Sequence, residues 1–360
     1  MGYFKEMLGS SESVFRDHIP LDFDYLPKVI PFRETEQRTV ASCIKPLFSQ
    51  RNGRNLFLHG PPGIGKTACC RHLLKELEEE TDDIIPLYIN CWQKNTSYKI
   101  MLELCDILGY KFTHNKKTDE LFKIVRDILN KKAVVIVLDE VDKMEDMDGL
   151  YFFLEEIYRK SVILITNYKK WLLELDERIK SRLTAEVLEF RKYNSEETKG
   201  ILKQRMEYAF VSGCFDESAF DTAVQKANDM GDIRAGLYLL REAGNAAEDK
   251  SSAKITIEHM QAAIKKLEDF YIKKRTDLDD DHQFILDLIK KNSGKKIGDI
   301  FAEYQKFNSS ANYKGFQRRI TKLADNKFVT LKRVTGAEGN TTIITQNIPE
   351  TSNVKTLNEF

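Results

Sequence analysis

Residues Asn55-Leu-Phe-Leu-His-Gly60-Pro-Pro-Gly63-Ile-Gly65-Lys66-Thr67-Ala68 pass from a short apolar run into a glycine-rich loop closed by a lysine and a threonine. Glycines at this spacing let the backbone curl until several N–H groups point at one β-phosphate, so Gly60, Pro61, Pro62, Gly63, Ile64, Gly65 and Ala68 form a candidate cradle. Lys66 is expected on the β- and γ-phosphate oxygens, and the Thr67 hydroxyl in one coordination position of Mg²⁺. The helix that should begin near Gly65 adds its positive dipole end. Further along, the β-branched run Ala133-Val-Val-Ile-Val-Leu138 ends in Asp139-Glu140-Val-Asp142. Such a run suits a strand buried on both faces of a parallel sheet, and ligands gather at the C-terminal ends of such strands. There Asp139 can hold the water shell of Mg²⁺, and Glu140 can polarise a water for attack on a γ-phosphate. A core strand followed by a solvated acidic turn has the same local pattern; the upstream loop favours the chemical reading.

Three further segments bear on the same chemistry. Val162-Ile-Leu-Ile-Thr166-Asn167 is a strand whose polar end would lie beside the acidic one, with Asn167 placed to orient the attacking water. A loop asparagine capping a turn is the plain alternative. Asp176-Glu-Arg178-Ile-Lys-Ser181-Arg182-Leu183 sets two arginines on one short helix. At an oligomer or domain edge Arg182, with Arg178 second, can act in trans on a γ-phosphate, while a solvated basic helix face fits the same residues. Met230-Gly-Asp232-Ile-Arg234 opens a helix with an arginine in its first turn, able to reach across to a nucleotide and report whether ATP or ADP is bound.

These residues need elements to position them. From Ile30 to Phe190 strand patterns near 55–59, 85–90, 133–139, 161–166 and 186–190 alternate with amphipathic helices, which predicts a parallel sheet covered on both faces. From Asn194 no strand pattern appears; helical periodicity runs through 195–210, 216–229, 233–247 and 256–273. Beyond an acidic stretch at 276–281 come three short helices, near 280–291, 295–306 and 312–326. Two strand-like runs, 328–334 and 341–345, follow. Three helices and a hairpin suggest a winged helix-turn-helix. Residues 1–26 should form a helix and an irregular strap, and 348–360 a frayed tail.

Composition bounds the class. A chain of 360 residues has room for two or three domains, and its net charge of zero excludes wholesale electrostatic wrapping of nucleic acid. Its six cysteines show no metal-ligand spacing and read as reduced, buried side chains, so no zinc is expected. No apolar stretch is long enough to span a membrane, and no signal-peptide pattern opens the chain; a soluble intracellular protein without a membrane partner is expected.

Together the five segments, in this order, resemble the AAA+ superfamily: Walker A (Gly60 to Thr67), Walker B (Asp139, Glu140), sensor 1 (Asn167), the arginine-finger segment (Arg178 to Arg182) and sensor 2 (Arg234). Within it, the chain resembles the origin-recognition and cell-division-control initiator family of archaea and eukaryotes. Asp24-Tyr-Leu-Pro27-Lys-Val-Ile30-Pro31-Phe-Arg33-Glu34 is similar to that family's N-terminal segment, which implies that Ile30 and Arg33 lie beside adenine. Tyr88-Ile-Asn90-Cys followed by Thr96-Ser-Tyr98 is similar to its second strand and DNA-touching helical insertion, and Gly231-Asp232-Ile-Arg234 with Leu239-Leu240-Arg241 to its sensor 2 helix. The resemblance implies an α/β fold: a P-loop AAA+ parallel-sheet domain over 1–193, an all-helical lid over 194–275 and a C-terminal winged helix over 276–347. It implies ATP/ADP and Mg²⁺ as ligands, and as partners double-stranded origin DNA, a replicative MCM-type helicase and other initiator copies. The compartment would be the nucleoid-associated cytoplasm in an archaeon or the nucleus in a eukaryote. Two departures stand out. The wing tip, Gly336-Ala-Glu338-Gly339-Asn340, lacks arginine, and the stretch from Asp142 to Ser161 is short.

Between Lys290 and Arg333 twelve Lys/Arg stand against three acids, a local charge of +9 in a neutral chain. Phe316, Ile320 and Leu323 should face a core, while Lys314, Arg318 and Lys322 repeat on another face that suits phosphate contacts. Lys332 and Arg333 would add contacts from the hairpin, and Arg318 and Arg319 are the candidates for base edges. A protein-docking winged helix or an ordinary solvated face fits the same pattern. The reading is an ATP-switched replication initiator with slow hydrolysis. Its rivals are a branch-migration motor, a clamp-loader subunit and a signalling ATPase whose winged helix docks protein.

Overall fold

The computed structural model describes residues 13–276, 280–308, 312–325, 328–336 and 339–346. The expected tail and most of the acidic stretch before residue 280 lie outside them, as do Ala337 and Glu338 of the expected wing tip. By packing, the chain divides into two units, Met1–Ile264 and Lys265–Phe360.

The first unit is built on a parallel sheet of five strands: β1 (Leu56–His59), β2 (Ile84–Asn90), β3 (Ala133–Asp139), β4 (Lys160–Thr166) and β5 (Glu186–Glu189), in the order β2-β3-β4-β1-β5. Alternation along the strands sends Leu56, Leu58, Val135, Val137, Ile163 and Ile165 to one face, under helices α1 (Glu34–Ile44) and α2 (Lys66–Glu80). Phe57, Val134, Ile136, Leu138, Val162 and Leu164 go to the other. That face is covered by α3 (Ser97–Ile107), α4 (Thr118–Leu129), α5 (Asp148–Glu156), the short α6 (Trp171–Glu174) and α7 (Glu177–Leu183). All seven residues of β3 are buried, which is why its sequence is a continuous apolar run. Each buried Val, Ile or Leu of the run contributes about 1.5–3 kcal/mol on leaving water. Edge strand β5 carries Glu186 and Glu189 exposed, charges that discourage pairing with another chain. The short segment between Walker B and sensor 1 holds a 3-10 turn and α5, and the connection from β2 to β3 holds the two helices α3 and α4.

The helical part follows as α8 (Ser195–Ala209), α9 (Glu217–Met230), α10 (Ile233–Asp249) and α11 (Ile257–Thr276). Its key junction is short. Gly231 ends α9 in the left-handed region (φ 62°), and the Asp232 carboxylate caps α10 by accepting from the Arg234 N–H. Before the sheet, the described strap residues form a bridge of Phe15 with Phe210 and a 3-10 turn at Ile19–Leu21. Of the helix expected within residues 1–26 the described part shows only that turn. Pro20 removes a backbone donor that a longer helix there would need.

In the second unit α12 (Asp280–Lys291), α13 (Ile297–Phe307) and α14 (Tyr313–Asp325) precede an antiparallel hairpin, β6 (Val329–Gly336) and β7 (Gly339–Gln346). Lys296 bridges to Ile343 on the free side of β7. Ile289, Ile300, Tyr304, Phe316, Ile320, Leu323 and Ile344 form the core. Replacing fully buried Phe316 with Ala should cost about 3–5 kcal/mol in urea unfolding of the full chain. Exposed Lys314→Ala should stay within about 0.5 kcal/mol.

Candidate functional site

The loop between β1 and α2 turns through three positive-φ glycines, Gly60 (149°), Gly63 (74°) and Gly65 (88°). Two of them also have no room for a side chain: a Cβ would stand 2.4 Å from the Phe190 carbonyl oxygen at Gly60 and 1.9 Å from Asp232 Oδ1 at Gly63. Lys66 folds over the loop and donates to Gly60 O (2.7 Å), Pro61 O (2.7 Å) and Asn167 Oδ1 (2.9 Å). Burial lowers its ammonium to about 8, against the pull of Asp139.

Opposite stands the end of β3. Asp139 Oδ2 accepts from Thr67 Oγ1 (2.6 Å) and from the Tyr88 hydroxyl (2.9 Å), and Oδ1 accepts from the Glu140 N–H (2.8 Å). Glu140 itself sits in the left-handed region (φ 52°, ψ 44°), a backbone costing about 1–3 kcal/mol that turns its side chain out of the strand. Burial, then Asp139 and Asp142, raise its carboxyl above the ordinary range, which suits a group that takes a proton from water. Thr166 donates to Asp142 (2.6 Å), so the ends of β3 and β4 are tied together and Asn167 is carried to Lys66.

A cleft of about 300 Å³ opens over these groups. One end is lined by Pro62 to Ala68, Asp139, Glu140, Asn167 and Arg234, the other by Tyr25, Leu26, Pro27, Ile30, Pro31, Ile201 and Leu237. An apolar end joined to a phosphate loop has the form of a nucleotide site. A hydroxyl and a carboxylate in contact, Thr67 and Asp139, are the hard oxygen donors that Mg²⁺ takes when it keeps most of its waters, so the residues fit that ion.

The structure brings together Lys66, Thr67, Asp139, Glu140, Asn167 and Arg234. Gly60 and Pro61 stand behind the cleft and supply carbonyls to Lys66. Arg33 requires a correction: it does not face a base. It is 0% exposed, and its guanidinium lies behind the loop between the rings of Phe190 (5.2 Å) and Tyr193 (4.0 Å). Its donors go to Ile64 O (3.1 and 3.3 Å), Arg191 O (2.6 Å) and Glu36 (2.7 Å). The buried acceptors claim it because carbonyls without a donor are costly there. Arg178 and Arg182, on α7, lie outside the chain's own cleft. Arg182 is paired with Glu155 and lies over the Tyr151 ring, whereas the Arg178 side chain is 82% exposed beside Asp176, so Arg178 is the more available of the two. Arg234 chelates its own cap, Asp232, at 2.9 and 3.1 Å. Sequence reasoning missed Tyr88, Asp142 and Arg205, which lies over Tyr25 (4.6 Å) and donates to Pro20 O and Tyr25 O. Only for the first two was there a signal, their place at or beside the ends of predicted strands.

In the second unit Phe316, Ile320 and Leu323 are buried as expected, and Lys314, Arg318, Lys322 and Lys332 are exposed. Arg319 pairs with Asp281 at 2.9 Å, both side chains 37% exposed, and so links α14 to α12, while Arg318 is exposed. The side chain of Arg333 lies outside what is described.

A phosphate-loop parallel sheet with an acidic strand end and a helical lid defines a P-loop ATPase domain. Residues 50–170 match the family model of an AAA domain and 199–265 that of the Cdc6 AAA+ ATPase-type lid domain. The chain is 35% identical over 272 residues to ORC1-type DNA replication protein 1 of Sulfurisphaera tokodaii, covering 72% of this chain and 68% of that one. It is 30% identical over 344 residues to the protein of the same name from Archaeoglobus fulgidus, covering 90% and 84%. The solved structure of the Aeropyrum pernix ORC1 protein in complex with DNA superposes over 94% of this chain and 95% of that chain, with a TM-score of 0.70 and 26% identity. The chain belongs to the ORC1-type DNA replication proteins, AAA+ ATPases of the origin-recognition and Cdc6 kind.

Arg33→Met should lower stability by about 3 kcal/mol in urea unfolding, because it strands buried carbonyls and Glu36. A loss below about 1 kcal/mol would contradict this role. Gly63→Ala, at a positive φ and against Asp232, should weaken nucleotide binding at least about tenfold by calorimetry.

Proposed function

We propose that the chain is an ATP-switched replication initiator. It binds origin DNA and helps recruit a replicative MCM-type helicase, acting with other initiator copies. Its working parts are a base (1–193), a lid (194–275) and a winged helix (276–347). The observation that carries the reading is the seat of the lid on the phosphate loop: the Ile233 N–H donates to Gly63 O (3.3 Å), and Asp232 packs against Gly63. A ligand on that loop therefore acts directly on the first turn of α10 and on Arg234.

In this reading the Lys66 ammonium and the loop N–H groups hold the phosphates, and Tyr25, Pro27, Ile30 and Pro31 hold the base. Thr67 and Asp139 would hold Mg²⁺, which when bound neutralises phosphate charge. Glu140 accepts the proton of the attacking water while Asn167 orients it. Arg234 exchanges Asp232 for phosphate and draws the lid closed. Arg178 or Arg182 completes the site of a neighbouring copy, Arg182 only after leaving Glu155. Hydrolysis is slow and resets the switch. The exposed face Lys314, Arg318 and Lys322 tracks the DNA backbone, and Lys332 and Arg333 add to it from the hairpin.

Glu140→Gln should keep ATP affinity within about threefold and lose most turnover, whereas Lys66→Ala should lose binding itself. Unchanged turnover in Glu140→Gln would sink the assignment. DNA affinity of the full chain should fall steeply with salt. Replacing Lys314, Arg318 and Lys322 by Ala should reduce the slope of log K against log[salt] by about 2–3. Absence of DNA binding at low salt would point instead to a protein-docking module.

A further inference from the structure

Tyr88 lies near the end of β2, where the register pairs it with Val137 and pairs Asn90 with Asp139. Side chains alternate along strands, so Tyr88 and Asp139 leave the same face, diagonally across two neighbouring strands. A phenol is long enough to close that diagonal. Its ring packs in the core beneath α2, and its hydroxyl donates to Asp139 Oδ2 at 2.9 Å. The same oxygen accepts from Thr67, and Oδ1 accepts from the Glu140 N–H. The three donors stand on three different elements. Thr67 stands in the first turn of α2 and Glu140 in the turn after β3, whereas Tyr88 belongs to the sheet itself. On the far side of its ring lies the guanidinium of Arg71, a cleft residue one turn beyond Thr67, at 5.6 Å.

We propose that Tyr88 is a positioning residue for the divalent cation: by holding Asp139 Oδ2 from the neighbouring strand, it presets the carboxylate that receives the cation's water shell. The proposal rests on the nucleotide reading of the cleft. A carboxylate free to rotate about its side-chain bonds would first have to be ordered by the cation, and that ordering would weaken cation binding; the tyrosine orders it in advance.

The test uses the full-length chain and a fluorescent ATP analogue, titrated with Mg²⁺ and separately in EDTA. Tyr88→Phe keeps the ring and its packing and removes only the donor. Its Mg²⁺ midpoint should rise about tenfold, as befits a lost hydrogen bond to a charged group. Affinity in EDTA should stay within about twofold of the wild type, and turnover lost at low Mg²⁺ should return at saturating Mg²⁺. Tyr88→Leu, which also removes the platform under Arg71, should show the same midpoint shift and serves if the phenylalanine chain fails to fold. An unchanged midpoint in both variants overturns the proposal. So does an equal loss of affinity with and without Mg²⁺, the mark of a purely structural residue. A wild-type chain that binds the analogue in neither condition overturns the nucleotide reading itself, and this proposal with it.

Discussion

The phosphate loop owes its form to buried cations that pull its carbonyl oxygens inward. Arg33 takes Ile64 O from behind, and Lys66 takes Gly60 O and Pro61 O from above. With those oxygens engaged on the protein side, the loop N–H groups are left for the cleft. The same guanidinium holds Arg191 O on the connector that leads from the sheet to the lid, clamped between Phe190 and Tyr193. Loop and connector thus hang from one side chain, and neither can shift without stranding a buried charge.

From that anchor the lid inherits its place. The chain leaves β5, passes Arg191 and enters α8 through an Asn194 cap that Glu197 completes. It returns at Gly231 and Asp232 directly onto Gly63. Strap residues Val14 to Arg16 bond to the backbone at 209–211, and Arg205 holds the carbonyls of Pro20 and Tyr25. The apolar end of the cleft is therefore made from both ends of the first unit. A nucleotide filling it would touch sheet, strap and lid at once, the arrangement needed for a local ligand to alter a remote surface.

Charge is divided by function. Near the cleft Lys66 and the acids at the end of β3 are held across elements: Lys66 by Asn167, Asp142 by Thr166, Asp139 by Thr67 and Tyr88. Glu140 stands on a strained backbone, its carboxyl raised by burial and then by its acidic neighbours. In the second unit, by contrast, the cations at 314, 318 and 322 lie exposed on a helix whose opposite face is core, and Arg319 of that helix pairs with Asp281. A solvated, repeated positive face suits a polyanion whose contacts are many and individually weak.

Much was legible in the residues because it is local. Periodicity of two and of 3.6 located all five strands and the helices of the lid and of the second unit, and the loop chemistry of Gly60 to Thr67 follows from glycine and phosphate alone. The core face of α14 and the strand ends bearing Asp139 and Asn167 were equally plain. Tertiary structure decided whatever depends on which buried acceptor lies nearest. Arg33 was expected beside a base and is instead claimed by loop carbonyls; Arg319, on the helix expected toward DNA, also pairs with Asp281. Tyr88 read as a strand residue until the register set it diagonal to Asp139. A sequence specifies which groups carry charge and hydrogen-bonding capacity. Their partners depend on strand order and packing, because a long arginine or tyrosine side chain reaches residues far away in the chain, and burial makes the nearest acceptor win.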